Sequence, residues 1–137
     1  MTDYTIRTTV ARPYEDMVEA VRTQLGETGF GVLTQIDIKA TLKKKLDVDV
    51  TPQIILGACR PQLAHRALEA EPSIAALLPC NVVVRAVDET TTVVEAFDPD
   101  AMMSFAADGK NGDTLRAVAA DARERLNAAL AALKGSN

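Results

Sequence analysis

The sequence predicts an α+β fold: a mostly antiparallel sheet with helices packed on one face, forming a two-layer sandwich. Three observations carry this. Segments of apolar and strand-forming residues recur along the chain, and two of them, Asn81 to Val87 and Thr91 to Phe97, are separated only by Asp88-Glu89-Thr90, as in a hairpin. The last third of the chain carries a helical stripe, with Leu115, Val118, Ala119, Ala122, Leu126, Ala129, Leu130 and Leu133 at i, i+3, i+4, i+7 spacing. A second helical stripe lies near the start. Two long amphipathic helices need a surface to bury against, and one sheet face supplies it.

Thr2 to Val10 alternates, with Tyr4, Ile6, Thr8 and Val10 on one face, and reads as a half-buried strand. Pro13 opens a helix, Glu15 and Asp16 favour its positive dipole end, and Tyr14, Val18, Val21 and Leu25 form its stripe. Gly26 and Gly29 supply the stop. Phe30 to Ile38 is a second strand, with Phe30, Val32, Thr34, Ile36 and Ile38 sharing a face. Lys39 to Leu46 is a short helix with Ala40, Leu42 and Leu46 as its apolar positions. The third strand runs from Gln53 to Cys59, after Pro52, because proline cannot donate inside a sheet.

Pro61 opens a helix whose inner face is Leu63, Ala64, Ala67 and Leu68, and Pro72 ends it. Ser73 caps a single turn, Ile74 to Leu78, before Pro79. After the hairpin, Asp98-Pro99-Asp100 is a turn and Ala101 to Phe105 adds a helical turn. Asp108 to Gly112 is a flexible loop by composition, Asp113 is the expected N-cap of the last helix and Gly135 its stop.

The 137 residues, 47% of them hydrophobic, suit one globular domain spanning residues 1–137. Aromatic residues make up 4% and Trp is absent, so the core must be aliphatic. The net charge of -4 disfavours nucleic acid as a partner. The N-terminus has no basic region followed by an apolar stretch, and no apolar run approaches the roughly 20 residues of a membrane helix. These features point to a cytoplasmic protein with no membrane partner. In that reducing compartment the two cysteines are expected to be thiols.

The middle of the chain carries a long pattern, GFGVLTQIDIKATLKKKL (Gly29 to Leu46) and then ILGACRPQLAHRALEAEPSIAALLPCNVVV (Ile55 to Val84). It resembles the bacterial family catalogued as Domain of Unknown Function 302, over nearly the whole chain. The resemblance implies an α+β sandwich, often as a homodimer, and implies no activity. Arg60 stands before Pro61 where the family pattern implies a smaller polar residue.

Among candidate sites, Cys59 and Cys80 come first. One ends the third strand and the other begins the fourth, so antiparallel neighbours would bring both thiols to one pocket. Such a pair can cycle between dithiol and disulfide, or bind a soft metal ion or thiophilic ligand. Against this stands the plain reading that free Cys is a small hydrophobe at crowded strand ends. Their separation of 21 positions matches no zinc spacing, and no metal site is assigned. His65, the one histidine, comes about a turn of helix after Cys59 and would activate a thiol if the two met, although its place at the edge of the stripe suits an exposed structural residue.

Arg60 sits at a helix start, where free N–H groups suit an anion. With Asn81, these residues form the candidate ligand-binding set: Cys59, Arg60, His65, Cys80 and Asn81. Lys39, Lys43, Lys44 and Lys45 could draw an anionic partner, but such a run usually is a solvated face. Glu69, Glu71, Asp98 and Asp100 form no catalytic pair, and no Lys-Ser/Thr comes after Gly29-Phe30-Gly31 to make a phosphate loop.

Three functional readings stand at this point. The leading one is a homodimeric small-ligand-binding or regulatory module, with an anionic or thiophilic ligand near Cys59, His65 and Cys80. The others are a thiol enzyme using Cys59 or Cys80 as a redox or nucleophilic group, and an interaction protein acting through its dimer surface. No cofactor is specified by any motif.

Overall fold

The computed structural model describes residues 4–106 and 109–135. Five strands, β1 (Thr5–Val10), β2 (Gly31–Asp37), β3 (Gln53–Cys59), β4 (Cys80–Asp88) and β5 (Thr91–Phe97), form one sheet in the order β1-β5-β4-β3-β2. Every neighbouring pair is antiparallel. The helices are α1 (Tyr14–Glu27), α2 (Ile38–Leu46), α3 (Pro61–Ala70), α4 (Pro99–Ser104) and α5 (Gly112–Gly135), with a 3₁₀ turn at Pro72–Leu77. The expected α+β sandwich is therefore present. Of the strand expected from Thr2, the part up to Asp3 lies outside the described residues, as does Asp108 of the expected loop.

β1 and β2 stand at opposite edges of the sheet, so α1 crosses its inner face from one edge to the other. The inner side chains are small and aliphatic: Ile54, Leu56 and Ala58 from β3, Val82 and Val84 from β4, Val94 and Ala96 from β5. Buried Thr92 is the polar exception, and its hydroxyl donates to the Arg12 carbonyl at 2.8 Å.

α5 runs under two clusters. Its C-terminal half (Leu126, Ala129, Leu130, Leu133) packs with α1 and the sheet. Its N-terminal half (Leu115, Val118, Ala119, Ala122) packs with Leu63 and Ala67 of α3, Ile74, and Met102 and Met103 of α4. All eight stripe positions read from the sequence are buried. The helix begins at Gly112, so Asp113 sits in its first turn and pairs with Arg116 instead of capping. Gly135 is still helical, so the helix does not stop before it.

Other boundaries move for identifiable reasons. Pro13 is the N-cap of α1, and Met17 joins Val21 and Leu25 as a buried residue. Asp37 caps α2 by accepting from the Ala40 N–H at 2.9 Å, which takes Ile38 out of β2 and into the helix. The 3₁₀ turn is capped by Glu71, whose carboxylate accepts from Ser73 N–H, and not by Ser73. Asp98 caps α4 in the same way through Asp100 N–H.

The largest departure is in β2. Its register against β3 shifts between Val32 and Thr34, a bulge that places one extra residue, Leu33, in the strand. Val32 therefore pairs with buried Ala58, but Thr34 and Ile36 pair with Gly57 and Ile55, on the other face. The single face expected for Phe30, Val32, Thr34, Ile36 and Ile38 is cut in two, and Leu33 and Ile36 are exposed.

The turn from α1 into β2 is a Schellman motif. Phe30 N–H donates to Leu25 O at 2.9 Å and Gly29 N–H to Gly26 O at 3.1 Å, with Gly29 at φ +94°. Leu25 and Phe30 are both buried, completing its apolar contact. Only Gly29 is required by this turn. A Cβ there would lie 2.4 Å from Arg60 Nη1, whereas a Cβ at Gly26, inside the helix, would meet nothing within 4 Å. Gly29→Ala should lower stability by roughly 1–2 kcal/mol or more, while Gly26→Ala should raise it by about 0.5–1 kcal/mol. Urea unfolding of the two variants checks the contrast.

Candidate functional site

β3 ends where β4 begins. Antiparallel pairing sets Ala58 opposite Cys80, so Cys59 lies one residue diagonally from Cys80. The polypeptide leaves β3 through Arg60, whose carbonyl accepts from Leu63 and Ala64 N–H, both at 3.0 Å, as α3 starts at Pro61. α3 and α4 pack beside this strand end over the first half of α5. Between them lies a small cavity lined by Phe30, Cys59, Arg60, Leu63, Cys80, Met102, Met103 and neighbouring small residues.

The cavity volume is about 30 Å³. That holds a water molecule or two; organic ligands occupy pockets of roughly 300 Å³ upward. Apart from Arg60 and the two thiols its lining is apolar, and no carboxylate or imidazole borders it. The Arg60 Nε is buried and, among the described residues, has no hydrogen-bond partner. An unsatisfied buried donor costs about 1–3 kcal/mol, so the site carries a polar group without an acceptor.

Both cysteines are free thiols, Cys80 buried and Cys59 half-buried. Burial raises the pKa of Cys59. For Cys80 burial, and then the charge of the neighbouring Cys59, push the pKa up to about 11. Desolvation disfavours the thiolate, the opposite of the lowered pKa that marks an activated nucleophile.

The other sequence candidates lie elsewhere. His65 is on the outside of α3, with its side chain 75% exposed and its Nε2 3.7 Å from Glu69 Oε1. It does not border the cavity. Asn81 pairs with Gly57 on the opposite face of the sheet from Cys80. There it lines a shallow groove with Tyr4, Thr5, Arg7, Val83, Arg85, Glu95 and Phe97. In that groove Glu95 accepts from Thr5 Oγ1 at 2.6 Å and from Arg85 Nη1 at 3.2 Å. The Thr5 hydrogen bond, with Arg85 and Arg7 adding, holds the Glu95 pKa below the usual range.

The lysines of α2 are partly engaged within the chain: Lys43 Nζ lies 2.8 Å from Asp47 and 3.8 Å from Asp49, and Lys39 Nζ donates to Val50 O at 2.9 Å. Among the described residues, no helix is long and apolar enough to cross a membrane, and no group of three or more His, Cys, Asp or Glu could hold a metal ion.

The structure brings Cys59, Arg60 and Cys80 to one cavity, and adds Phe30, Met102 and Met103, which sequence reasoning did not name. The adjacent Met102-Met103 pair, in a chain with four methionines, was the one signal available for them.

Known proteins share this architecture. A family model, Domain of unknown function DUF302, matches residues 6–133. The chain is similar to the crystal structure of an uncharacterized conserved DUF302 protein from Bacillus stearothermophilus, with 30% sequence identity, a TM-score of 0.83, and coverage of 94% of this chain and 97% of that one. No match is found among curated proteins.

Iodoacetamide at neutral pH should label both thiols more slowly than free cysteine, Cys80 slowest, and His65→Ala should leave both rates unchanged; labelling faster than free cysteine would revive a thiol enzyme. The raised Cys80 pKa also has a sign for stability. From the ordinary value of 9.0 up to about 11, the unfolded chain loses this proton first. Stability is therefore retained below about pH 9 and falls by roughly 2–3 kcal/mol as pH rises through that window. Urea unfolding across the window should show a shallower pH slope for Cys80→Ala.

Proposed function

The chain belongs to the DUF302 family, and from that premise we propose that it is a single-domain, homodimeric binding or regulatory module whose ligand sits against Cys59, Arg60 and Cys80. The observation that carries this reading is the cavity at the β3–β4 strand end, lined by Cys59, Arg60 and Cys80 among apolar residues, with the Arg60 Nε buried and, among the described residues, without a hydrogen-bond partner. A buried donor with no partner invites an acceptor. The small volume limits the ligand to an ion or a group of a few atoms, unless α3 and α4 move apart. His65 has no part in this site, and the anionic or thiophilic character expected of the ligand comes from Arg60 and the sulfurs. Two free thiols suit a reducing bacterial cytoplasm.

The dimer half of the reading has separate support. The β2–α2–β3 segment leaves Leu33, Ile36, Leu46 and Val48 exposed, and α2 has no buried residue. β2 is also a sheet edge. Apolar surface beside an open edge suits self-association. The same surface favours the interaction-protein reading as the second possibility, with dimerisation itself as the role.

Native mass spectrometry of protein purified without reductant or chelator tests both parts. We expect a dimer carrying a bound species that Cys59→Ala or Cys80→Ala releases, and a shift towards monomer in Ile36→Glu. A dimer with two free thiols and no bound species, unaffected by the cysteine substitutions, would leave only the interaction reading.

A further inference from the structure

The groove lined by Asn81, on the outer face of the sheet, has a chemistry of its own. β1, β5 and β4 are neighbours in the sheet, and the register sets Arg7 opposite Glu95 and Glu95 opposite Val83. Strand alternation keeps these residues, with Thr5 and Arg85 two positions along their strands, on the face opposite buried Val82, Val84, Val94 and Ala96. Glu95 is the hub of this cluster. Its Oε2 accepts from Thr5 Oγ1 at 2.6 Å and its Oε1 accepts from Arg85 Nη1 at 3.2 Å. Both carboxylate oxygens are therefore engaged within the chain, and the side chain is only 14% exposed.

Arg7 stands on the other side of Glu95 from Arg85. It is exposed, acts on Glu95 through its charge, and makes no hydrogen bond or close ion pair among the described residues. Two guanidiniums around one carboxylate leave the groove with one positive charge, in a chain whose net charge is -4. The groove volume is about 470 Å³, within the roughly 300–1,000 Å³ of pockets that take organic molecules. Val83 and the rings of Tyr4 and Phe97 give it an apolar wall beside those charges. An apolar wall with a small number of polar groups is the make-up of a small-molecule site.

We propose that this groove binds a small organic monocarboxylate with an apolar ring, its carboxylate on the guanidinium of Arg7 and its ring along Val83, Tyr4 and Phe97. A guanidinium matches a carboxylate through two parallel N–H donors, and Arg85 adds positive charge from beyond Glu95. Glu95 is a positioning residue. It fixes Arg85, and its own charge opposes a second negative charge in the groove, which selects a monoanion over a dianion. Asn81 and Cys80 lie on opposite faces of the sheet, so this site is separate from the strand-end cavity and goes beyond the function proposed for it.

The test is a titration of the nitrogen-15-labelled full-length chain with phenylacetate, followed by amide NMR shifts. The comparison probes are 2-phenylethanol, 2-phenylethylamine, acetate and inorganic phosphate. Phenylacetate should bind saturably, one per chain, with a dissociation constant on the order of 1 mM or tighter. Shifts should centre on Arg7, Val83 and Glu95 and leave Ala58 and Cys80 unmoved. 2-Phenylethanol, which lacks the charge, and acetate, which lacks the ring, should each bind at least about tenfold more weakly, and 2-phenylethylamine should not bind. Arg7→Met should weaken phenylacetate by about ten- to a hundredfold, and Arg7→Lys by less. Neither should move the unfolding midpoint, since Arg7 has no close partner among the described residues. Glu95→Gln keeps the side-chain shape and removes the negative charge, so it should bind phenylacetate severalfold more tightly. Cys80→Ala should change nothing.

Shifts scattered over the surface, or 2-phenylethanol or phosphate bound as tightly as phenylacetate, would mean an adventitious contact and overturn the site. Affinity undiminished in Arg7→Met would do the same. If phenylacetate gives no shifts and Arg7→Glu turns a dimer into monomer, the groove is an interface between copies and the carboxylate site falls. None of these outcomes bears on the strand-end cavity, whose ligand is read through the cysteine variants.

Discussion

The apolar stripe of α5 is the contact on which the rest of the structure depends. The helix is 24 residues long and so about 36 Å from end to end. It buries its C-terminal half against α1 and the sheet and its N-terminal half against α3 and α4. No other described helix reaches both clusters. Without that stripe, α1 would cover one part of the sheet, α3 and α4 would have no floor, and the strand end carrying the cysteines would face solvent. Polar contacts pin α5 at both stations: Arg123 Nε lies 3.2 Å from Asp98 Oδ2, the cap of α4, and Arg125 Nη1 donates to Thr28 O at the end of α1. These pairs are partly exposed and add modestly to the buried area that holds the helix in place.

The candidate site is a by-product of that arrangement. Val118 and Ala122 of α5, with Ala64 and Ala67 of α3, are small enough to leave a gap against the strand end. The antiparallel register of β3 and β4 sets Cys80 opposite Ala58, with Cys59 the next residue along β3. Gly29 connects this region to the rest of the molecule, because a Cβ there would lie 2.4 Å from Arg60 Nη1 and the guanidinium would have to shift. Burial raises the pKa of both thiols, that of Cys80 to about 11, and so disfavours their thiolates.

Where the structure moves an element boundary or separates residues grouped in the sequence, the physical cause can be named in each case. Asp37 is a better helix cap than strand residue, which moved Ile38. The bulge at Leu33 inverted the second half of β2, and a period-2 pattern contains no mark of an inserted residue. His65 lies close to Cys59 in sequence, yet a helix turns its residues by about 100° each, and that rotation carries the imidazole out to Glu69 and solvent. Asn81 comes directly after Cys80, and strand alternation sends the two side chains to opposite faces.

What the sequence determined by itself is what local chemistry and periodicity encode: the elements and their order, the hairpin, the eight buried positions of α5, and the placing of Cys59 and Cys80 at strand ends that an antiparallel pairing would join. The tertiary structure alone decided the sheet order, with β1 and β2 at opposite edges, because strand adjacency depends on how α1 crosses the sheet and not on any nearby residues. It alone decided that Met102 and Met103 border the same cavity as the thiols, since residues so distant from Cys59 in sequence meet it only through the packing of α3 and α4 on α5. And it alone left the Arg60 Nε without an acceptor among the described residues, a property of the surrounding atoms in space that no spacing of residues can record.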